Sequence, residues 1–368
     1  MGTYSRRTFL RQTAALSAAA AADRLLLPPV FGRTSLEPAR PPAAPAPEVS
    51  SGGGPGRPTP AQEPASRRGA DHPFFASAKN RPEVIAHRGG EGQWPGGTMF
   101  AYKKSMELGV DVLEMDVYLT KDDHLVLMHD NNIKSTTNYT GRGHRVREFT
   151  LAQLKGLNAA YKWSPAGTDE HPYRNDPDQD LKVTSLEEVF REFPGMRMIV
   201  EMKSAGRRRR NSPAPKLTEM IRRSGMQDKV LVASFSDDYM GHFRELCPEV
   251  ATSASRNELL RFAGSALLGR SYRPETDSIQ VLDRLWPVQV ITDRFVDYAH
   301  CDDLSPARAA RCRKLPVHAW TINDLEGMRR MIALGVDGII TDFPGPLLSL
   351  LERRGAASVA GAEATRRA

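Results

Sequence analysis

The segment VDVLEMDVYL, residues 110–119, alternates between apolar and acidic positions as a strand with two different faces does. The apolar positions of one face are Leu113, Met115, Val117 and Leu119. Glu114 and Asp116 share the other face, which points inward if the sheet closes into a barrel. Two carboxylates two residues apart on an inward face repel each other and cannot both stay ionised without a cation. The segment therefore predicts a barrel strand that carries part of a charged site.

Strand-like runs of this kind alternate with amphipathic helical segments along most of the chain. We predict nine strands: Val84–His87, Val110–Leu119, Leu125–His129, Met198–Lys203, Lys229–Ser234, Val250–Ser253, Val288–Thr292, Val317–Thr321 and Gly338–Thr341. Such alternation over roughly 280 residues is typical of an α/β fold, and we expect a TIM-type (β/α)8 barrel with parallel strands inside and helices outside. Because nine strands compete for eight places, one run between Ile279 and Thr292 is expected to be an excursion. A doubly wound open sheet is the alternative, but no glycine-rich dinucleotide fingerprint follows the first strand.

Two helices between these strands have clear ends. One is predicted over Met99–Leu108 and ends at Gly109. The other is predicted over Ser185–Phe193 and begins with the capping box Thr184-x-x-Glu187.

The amino-terminal residues predict export. The segment SRRTFLR, residues 5–11, carries the adjacent Arg6 and Arg7, and the uncharged run QTAALSAAAAA follows it. A charged start before a modest apolar run of small residues is typical of a signal peptide and is too short for a membrane span. Because both halves of the signal are present, we interpret residues 1–35 as similar to a twin-arginine signal, read by that export machinery. We expect a periplasmic or extracellular protein, tethered to the membrane if the signal stays uncleaved.

Composition divides the rest of the chain into three parts. Residues 36–72 are rich in Pro, Ala, Gly and Ser, which predicts a disordered linker that cannot bury enough apolar surface to fold. The barrel is predicted over residues 73–354, and residues 355–368 are predicted to be a flexible tail.

Net charge gives little support to nucleic-acid binding. The chain has 51 Lys and Arg and 44 Asp and Glu. Residues 1–72 hold 9 of the basic and 5 of the acidic residues, so the remainder has a net formal charge of only +3.

Three cysteines are too few for a disulfide scaffold. A local Cys301–Cys312 disulfide and two unpaired buried thiols are both compatible with the sequence of an exported protein.

Several polar residues fall at or near the carboxyl ends of predicted strands, which is the catalytic rim of a barrel enzyme. They are His87, Glu114, Asp116, His129, Glu201 and Lys203. Three carboxylates without cysteine suit a hard ion, Mg²⁺ or Ca²⁺, better than zinc. Two histidines supply an acid and a base that titrate near neutrality, and Arg88 and Lys203 add fixed positive charge. This combination describes a phosphate ester site.

The order of the motifs resembles the glycerophosphodiester phosphodiesterase family. They are HRG after the first strand, EMD, HD, EMK, HAWTIN and GIITDFP, and the resemblance runs from Val84 to Leu351. It implies a TIM-type barrel that hydrolyses glycerophosphodiesters to glycerol phosphate and an alcohol. It also implies an acid–base pair, His87 and His129, and one divalent ion held by Glu114, Asp116 and Glu201. Arg88 and Lys203 would bind the phosphate, and Trp320 would line the pocket.

The sequence departs from the family in one place. Where the family usually has Pro-Glu-Asn-Thr after the HRG motif, this chain has Pro95, Gly96, Gly97 and Thr98. The missing glutamate would be expected to steady the site or add a negative group, so its loss bears on the rate or the substrate range.

Two alternative functions remain at this stage. One is a lysophospholipase D-like enzyme that acts on single-chain phospholipids, with the segment Tyr161 to Asp180 as a flap over the pocket. The other is a non-catalytic phosphodiester-binding protein. The retention of all three carboxylates and both histidines argues against it.

A run of four arginines, Arg207 to Arg210, follows the EMK motif. It would attract anionic substrates or an anionic membrane surface, or would simply be solvated.

Overall fold

The structure is a computed structural model that describes residues 69–76, 81–204, 211–268, 272, 274–285, 288–301 and 314–353. The predicted signal peptide, most of the predicted linker, the run Arg207 to Arg210 and the predicted tail therefore lie outside the described residues. Within the described ranges, no helix combines the length and the apolar character that crossing a bilayer requires.

Strands in the described part of the chain are two to five residues long, with the exception of Val112–Leu119. They are β1 (Glu83–Ala86), β2 (Val112–Leu119), β3 (Leu125–Leu127), β4 (Met198–Met202), β5 (Val230–Ala233), β6 (Ala251–Thr252), β7 (Ile279–Leu282), β8 (Arg284–Leu285), β9 (Val288–Gln289), β10 (Val317–Trp320) and β11 (Gly338–Thr341).

Eight of these strands form the predicted barrel. Parallel pairing runs through β6, β5, β4, β2, β1, β11, β10 and β7. A parallel bridge between Ser253 and Ser278 then joins the end of β6 to the start of β7 and closes the ring. Parallel strands need long crossovers, and in this chain the segments between them carry the helices. The TIM-type barrel is confirmed.

One predicted barrel strand was wrong, and the ninth predicted strand lies off the ring. Leu125–His129 was expected to be the third barrel strand, but β3 pairs antiparallel with β2 and lies off the ring. The reason is the link of five residues from Thr120 to His124, which is enough for a hairpin but too short for a parallel crossover. The excursion expected between Ile279 and Thr292 is confirmed: β7 takes the barrel position, and β9, which lies in the predicted strand Val288–Thr292, forms a two-stranded antiparallel ribbon with β8.

Eight α-helices in the described ranges lie between the strands, and all but the second contribute buried residues to the layer outside the ring. They are α1 (Met99–Leu108), α2 (Leu151–Lys155), α3 (Leu186–Glu192), α4 (Ala214–Arg223), α5 (Asp237–Leu246), α6 (Arg256–Leu268), α7 (Asp293–His300) and α8 (Leu325–Ala333). A further helix covers 344–353. α1 matches its prediction, and Gly109 ends it in the left-handed region at φ 78°. The capping box of α3 lies one residue later than predicted, between Ser185 and Glu188.

The barrel is packed on both sides of its wall. One face of β2 contributes Leu113, Met115 and Val117 to the layer beneath the helices, as the alternation predicts. Inside the ring, Ile85, Ile199 and other buried side chains fill the space, and burying each one fully contributes about 1.5–3 kcal/mol to stability.

A short 3₁₀ helix, Pro73–Phe75, packs Phe74 and Phe75 into this inner cluster. The Arg197 guanidinium binds the Phe74 carbonyl at 2.9 Å. The amino-terminal end of the barrel is therefore sealed, which leaves the opposite end for a site.

The cysteines differ in state. Cys301 is disulfide-bonded, whereas Cys247 is a free, buried thiol. The position of Cys312 lies outside the described residues.

Candidate active site

Charged side chains gather where β1, β4 and β11 end, at the level of the middle of β2. Asp116 on β2 lies in register beside Glu201 on β4. Side chains at the same level of neighbouring parallel strands point to the same face, so these two carboxylates enter the barrel side by side. His87 follows β1 directly, and Asp342 follows β11. Strand register therefore brings together residues from four distant parts of the chain.

Three carboxylates form a cluster that fits a metal ion. Glu114, Asp116 and Glu201 each offer an oxygen, and these oxygens lie within 4.8 Å of one another. Such a spacing allows three oxygens to surround one hard ion at the usual distances of about 2.0–2.6 Å. Asp116 Oδ2 is buried without a hydrogen bond from any described residue, although Arg88 Nε lies 3.0 Å away. Since all donors are oxygens, the cluster suits Mg²⁺ or Ca²⁺.

Crowding of these acids shifts their titration. Burial and the Asp116 carboxylate raise the pKa of Glu114 to about 7. Burial acts in the same sense on Asp116, but Lys203 and Arg88 outweigh it and hold the pKa of Asp116 below its usual range. Burial also raises the pKa of Glu201. Glu114 is therefore partly protonated at neutral pH because it is buried beside a second carboxylate, and a divalent ion in the cluster would favour its ionised form.

Lys203 provides positive charge from within the cluster. Its Nζ lies 3.1 Å from Asp116 Oδ1 and 2.9 Å from Glu201 Oε2. Burial disfavours the ammonium, but the two carboxylates outweigh it and raise the pKa of Lys203. The side chain therefore stays charged at the rim, as its assignment to phosphate binding requires.

His87 is held by a partner that the sequence did not reveal. Its Nδ1 lies 2.5 Å from Asp342 Oδ1, and Asn323 Nδ2 donates to the other Asp342 oxygen at 2.5 Å. His87 Nε2 faces the metal cluster, 4.0 Å from Glu114 Oε2. Burial and Arg88 lower the pKa of His87, but Asp342 and Glu114 outweigh them and raise it to about 9. The imidazole is therefore oriented at one nitrogen and free to act at the other.

Arg88 has an unusual backbone conformation. Its φ of 51° lies in the left-handed region, which costs a residue other than glycine roughly 1–2 kcal/mol. Its own N–H donates to Glu114 Oε2 at 2.9 Å, so the strained turn also helps to fix a carboxylate of the cluster. Strain of this kind concentrates at functional sites. The Glu91 carboxylate accepts two bonds from Arg88 Nη1, at 2.9 Å and 2.8 Å.

His129 reaches the same pocket from the hairpin. It follows β3, and its Nδ1 lies 2.8 Å from Asp130 Oδ1. A cavity at the rim is lined by Arg88, Asp116 and His129 together, with Gly96 and Gly97 on its wall. The prediction that His129 ends a barrel strand was wrong, yet the hairpin still presents it to the cluster.

Trp320 lies at the end of β10 and joins the inner cluster of the barrel. Its ring packs edge-to-face against Phe235, with centroids 5.6 Å apart, and Phe235 is 45% exposed. Phe235 follows β5, so the two aromatic rings stand on the rim that carries the charged residues. This pair is an apolar counterpart to the charged side of the rim.

Seven of the eight predicted site residues are linked by contacts or by a common cavity, and Trp320 lies on the same rim. Sequence reasoning missed Asp342, Asn323 and Glu91. Asp342 lies in the GIITDFP motif directly after a predicted strand, so its position alone would have identified it as a rim residue. Glu91 gave no such signal, because it lies in a loop without periodicity.

The fold and the cluster together define a TIM-type barrel with acidic, basic and histidine side chains gathered at its carboxyl rim. The sequence profile of the glycerophosphoryl diester phosphodiesterase family matches residues 87–346. A glycerophosphodiester phosphodiesterase of Caldanaerobacter subterraneus subsp. tengcongensis is 30% identical over 275 residues, covering 74% of this chain and 98% of that protein. The chain therefore belongs to the glycerophosphoryl diester phosphodiesterase family of phosphoric diester hydrolases.

Two further relatives extend the comparison. A protein of Homo sapiens named lysophospholipase D is 22% identical over 280 residues, covering 73% of this chain and 85% of that protein. Among solved structures, the glycerophosphoryl diester phosphodiesterase domain of a Mycobacterium tuberculosis protein matches with a TM-score of 0.59 at 18% identity. That match covers 72% of this chain and 97% of the domain, and it supports the barrel fold alone.

Proposed function

We propose that this chain is an exported, metal-dependent phosphodiesterase that hydrolyses glycerophosphodiesters to glycerol phosphate and an alcohol. The observation that carries the proposal is the buried carboxylate cluster of Glu114, Asp116 and Glu201, with a carboxylate-held imidazole beside it. Three carboxylates lie together here, with the Lys203 ammonium, the Arg88 guanidinium and the His87 imidazole around them, and their oxygens are close enough to share one ion.

Glu114, Asp116 and Glu201 would hold one Ca²⁺ or Mg²⁺ ion. When bound, such an ion supplies positive charge to the phosphate oxygens as negative charge develops in the transition state. Arg88 adds a second source of that charge. Its Nη1 is taken by Glu91, and no described residue hydrogen-bonds its Nη2, so Nη2 is the donor that remains for a phosphate oxygen.

His87 and His129 would move the protons. With a pKa of about 9, His87 is protonated at neutral pH and suits the role of acid. In the proposed step, His129 takes a proton from the attacking water while the water oxygen bonds to phosphorus. The bond from phosphorus to the leaving alkoxide breaks, and His87 Nε2 gives that oxygen its proton. Asp342 keeps Nε2 available by holding Nδ1.

A lysophospholipase D-like activity is the second candidate, and the exposed Phe235 favours it. An aromatic side chain that is 45% exposed beside Trp320 offers apolar contact to an acyl chain. The segment from Tyr161 to Asp180, proposed as a flap, is attached to the loop after β1, because Trp163 Nε1 donates to the Glu91 carbonyl at 2.8 Å. Trp163 packs against Tyr173, whose ring packs against Phe100 of α1. The human relative's name is consistent with this candidate.

Export is proposed from the amino-terminal signal alone. Replacing Arg6 and Arg7 by lysine in the full chain should leave the protein in the cytoplasm, and unchanged fractionation would refute twin-arginine transport.

The test of the function is turnover across a panel of glycerophosphodiesters and lysophospholipids, each with Mg²⁺, Ca²⁺ or EDTA. We expect release of alcohol and glycerol phosphate from a soluble diester, abolished by EDTA and restored by one of the ions. Preference for lysophospholipids would favour the second candidate. Binding of every substrate without turnover would instead identify a non-catalytic binding protein.

A further inference from the structure

The loop after β1 contains a carboxylate that approaches the site without belonging to the metal cluster. Glu91 binds Arg88 Nη1 through both oxygens, and Glu91 Oε1 also lies 3.7 Å from His87 Nδ1. Its side chain is 31% exposed and that of Arg88 is 18% exposed, so the pair is partly shielded from water. Both contacts are made by one guanidinium nitrogen, and Asp116 Oδ2 lies 3.0 Å from Arg88 Nε, so the two carboxylates together restrict the orientation of the planar guanidinium.

The space that Glu91 occupies exists because residue 96 has no side chain. A Cβ placed on Gly96 would lie 2.5 Å from Glu91 Cβ, 3.2 Å from Glu91 Oε2 and 3.3 Å from Arg88 Cβ. Contacts under 3.0 Å between carbon atoms are not tolerated, so any side chain at position 96 would displace Glu91. The φ of Gly96 is not in the left-handed region, which means that space, and not backbone conformation, requires this glycine.

We propose that Glu91 is the positioning residue for the Arg88 guanidinium, in the place that a side chain at position 96 would otherwise fill. The motif that this chain resembles has a glutamate at position 96, so an acidic group would face Arg88 in both arrangements, from different positions of the same loop. Glu91 binds Nη1 of Arg88, and Asp116 lies 3.0 Å from Nε of the same guanidinium. Nη2 is thus the nitrogen left for the phosphate in the proposed function. This inference rests on the proposed role of Arg88 in phosphate binding.

The loop is fixed well enough for Glu91 to act in this way. Gly92 N donates to the Asp342 carbonyl at 3.1 Å, and Gly97 N donates to the Arg88 carbonyl at 2.9 Å. Trp163 Nε1 holds the Glu91 carbonyl from the segment above. Two anchors from distant parts of the chain and one hydrogen bond within the loop thus hold the backbone around Glu91, and the carboxylate is preorganised.

Glu91→Gln is the first test, because it keeps the shape and removes the charge. We expect kcat/KM for a soluble glycerophosphodiester to fall roughly 10- to 100-fold, mostly through KM, with weaker inhibition by glycerol phosphate. Glu107→Gln is the matched control, since Glu107 binds Lys104 at 2.7 Å with the same i, i+3 spacing on the exposed face of α1. Kinetics of Glu91→Gln equal to those of the control would overturn the proposal while leaving the enzyme's function intact.

The second test moves the carboxylate from position 91 to position 96. Gly96→Glu alone should lose activity and melt at a lower temperature, because it collides with Glu91. Combined with Glu91→Gly it should recover kcat/KM to within about fivefold of wild type and regain most of the melting temperature. If the diester is not a substrate, the melting temperatures of the four proteins still decide the geometry. Equal losses from Gly96→Glu in both backgrounds would show that residues 91 and 96 do not compete for one space.

Discussion

Replacing Asp342 by asparagine should change both catalysis and the pH dependence of stability. Asp342 Oδ1 lies 2.5 Å from His87 Nδ1, and this contact keeps the proton on the imidazole against burial and against Arg88. The asparagine side chain would keep the size of the aspartate without its charge. We expect kcat to fall by ~10² or more, because the proposed acid loses both its orientation and its proton near neutrality.

The size of the expected change in unfolding free energy with pH follows from the pKa of His87. The folded value of about 9 lies above the unfolded value of 6.5. The folded state therefore keeps a proton that the unfolded state releases, so this stabilisation is full below pH 6.5 and is lost as pH rises to 9. One proton corresponds to about 1.4 kcal/mol per pH unit, which gives a loss of about 3 kcal/mol across the window. His87 is only 14% exposed, so solvent screening removes little of this effect.

Urea unfolding at pH 6.5 and pH 9 in EDTA measures this loss. Wild type should lose about 3 kcal/mol between the two values, and Asp342→Asn less than about 1 kcal/mol. Asp337→Asn is the matched control: Asp337 precedes β11 as Asp342 follows it, and it binds His300 Nε2 at 2.7 Å, remote from the site. That variant should lose stability but keep kcat. If Asp342→Asn showed the wild-type pH dependence and the wild-type kcat, the proposed function of the His87–Asp342 pair would be wrong.

Three other predictions concern protons, metal and charge. His129→Ala should lower kcat by ~10²–10⁴ while the melting shift caused by Ca²⁺ or Mg²⁺ remains, and near-normal turnover would exclude His129 as the base. Because the pKa of Glu114 is about 7 and a ligand must be deprotonated, metal affinity measured by calorimetry should fall about tenfold per pH unit below 7; affinity that is flat from pH 6 to 8 contradicts this. Neutralising Arg207 to Arg210, which lie outside the described residues, should flatten the salt dependence of kcat/KM without changing kcat, and an unchanged slope removes them from substrate capture.

The barrel and most of the site follow from the sequence because both depend on period-two alternation. Alternation puts Glu114 and Asp116 on the inward face of β2, and the structure confirms that face. It cannot distinguish a parallel strand from one arm of a hairpin, which is why β3 was misplaced. The five-residue link from Thr120 to His124 contained the missing information, since only a hairpin spans so short a distance.

The partners of the site residues could not be predicted in the same way. Asp342 lies 255 residues from His87 in the chain, and only the closure of β11 onto β1 brings them together. Glu91 binds Arg88 through a loop whose conformation depends on Gly90 and Arg88 in the left-handed region. Neither position has a periodic pattern, so tertiary structure alone reveals these contacts.

Metal binding to the wild type and to Glu201→Gln tests the central claim most directly. Calorimetric titration with Ca²⁺ and Mg²⁺, together with thermal melting, measures it without relying on a chosen substrate. We predict one ion per chain for wild type, with a stabilisation of about 2.7 kcal/mol at an ion concentration of 100 Kd. Glu201→Gln should lose this binding and its melting shift, whereas the exposed control Glu107→Gln should keep both. An unchanged shift in Glu201→Gln, or wild-type turnover that persists in EDTA with no ion bound, would contradict a metal-dependent site built on these three carboxylates.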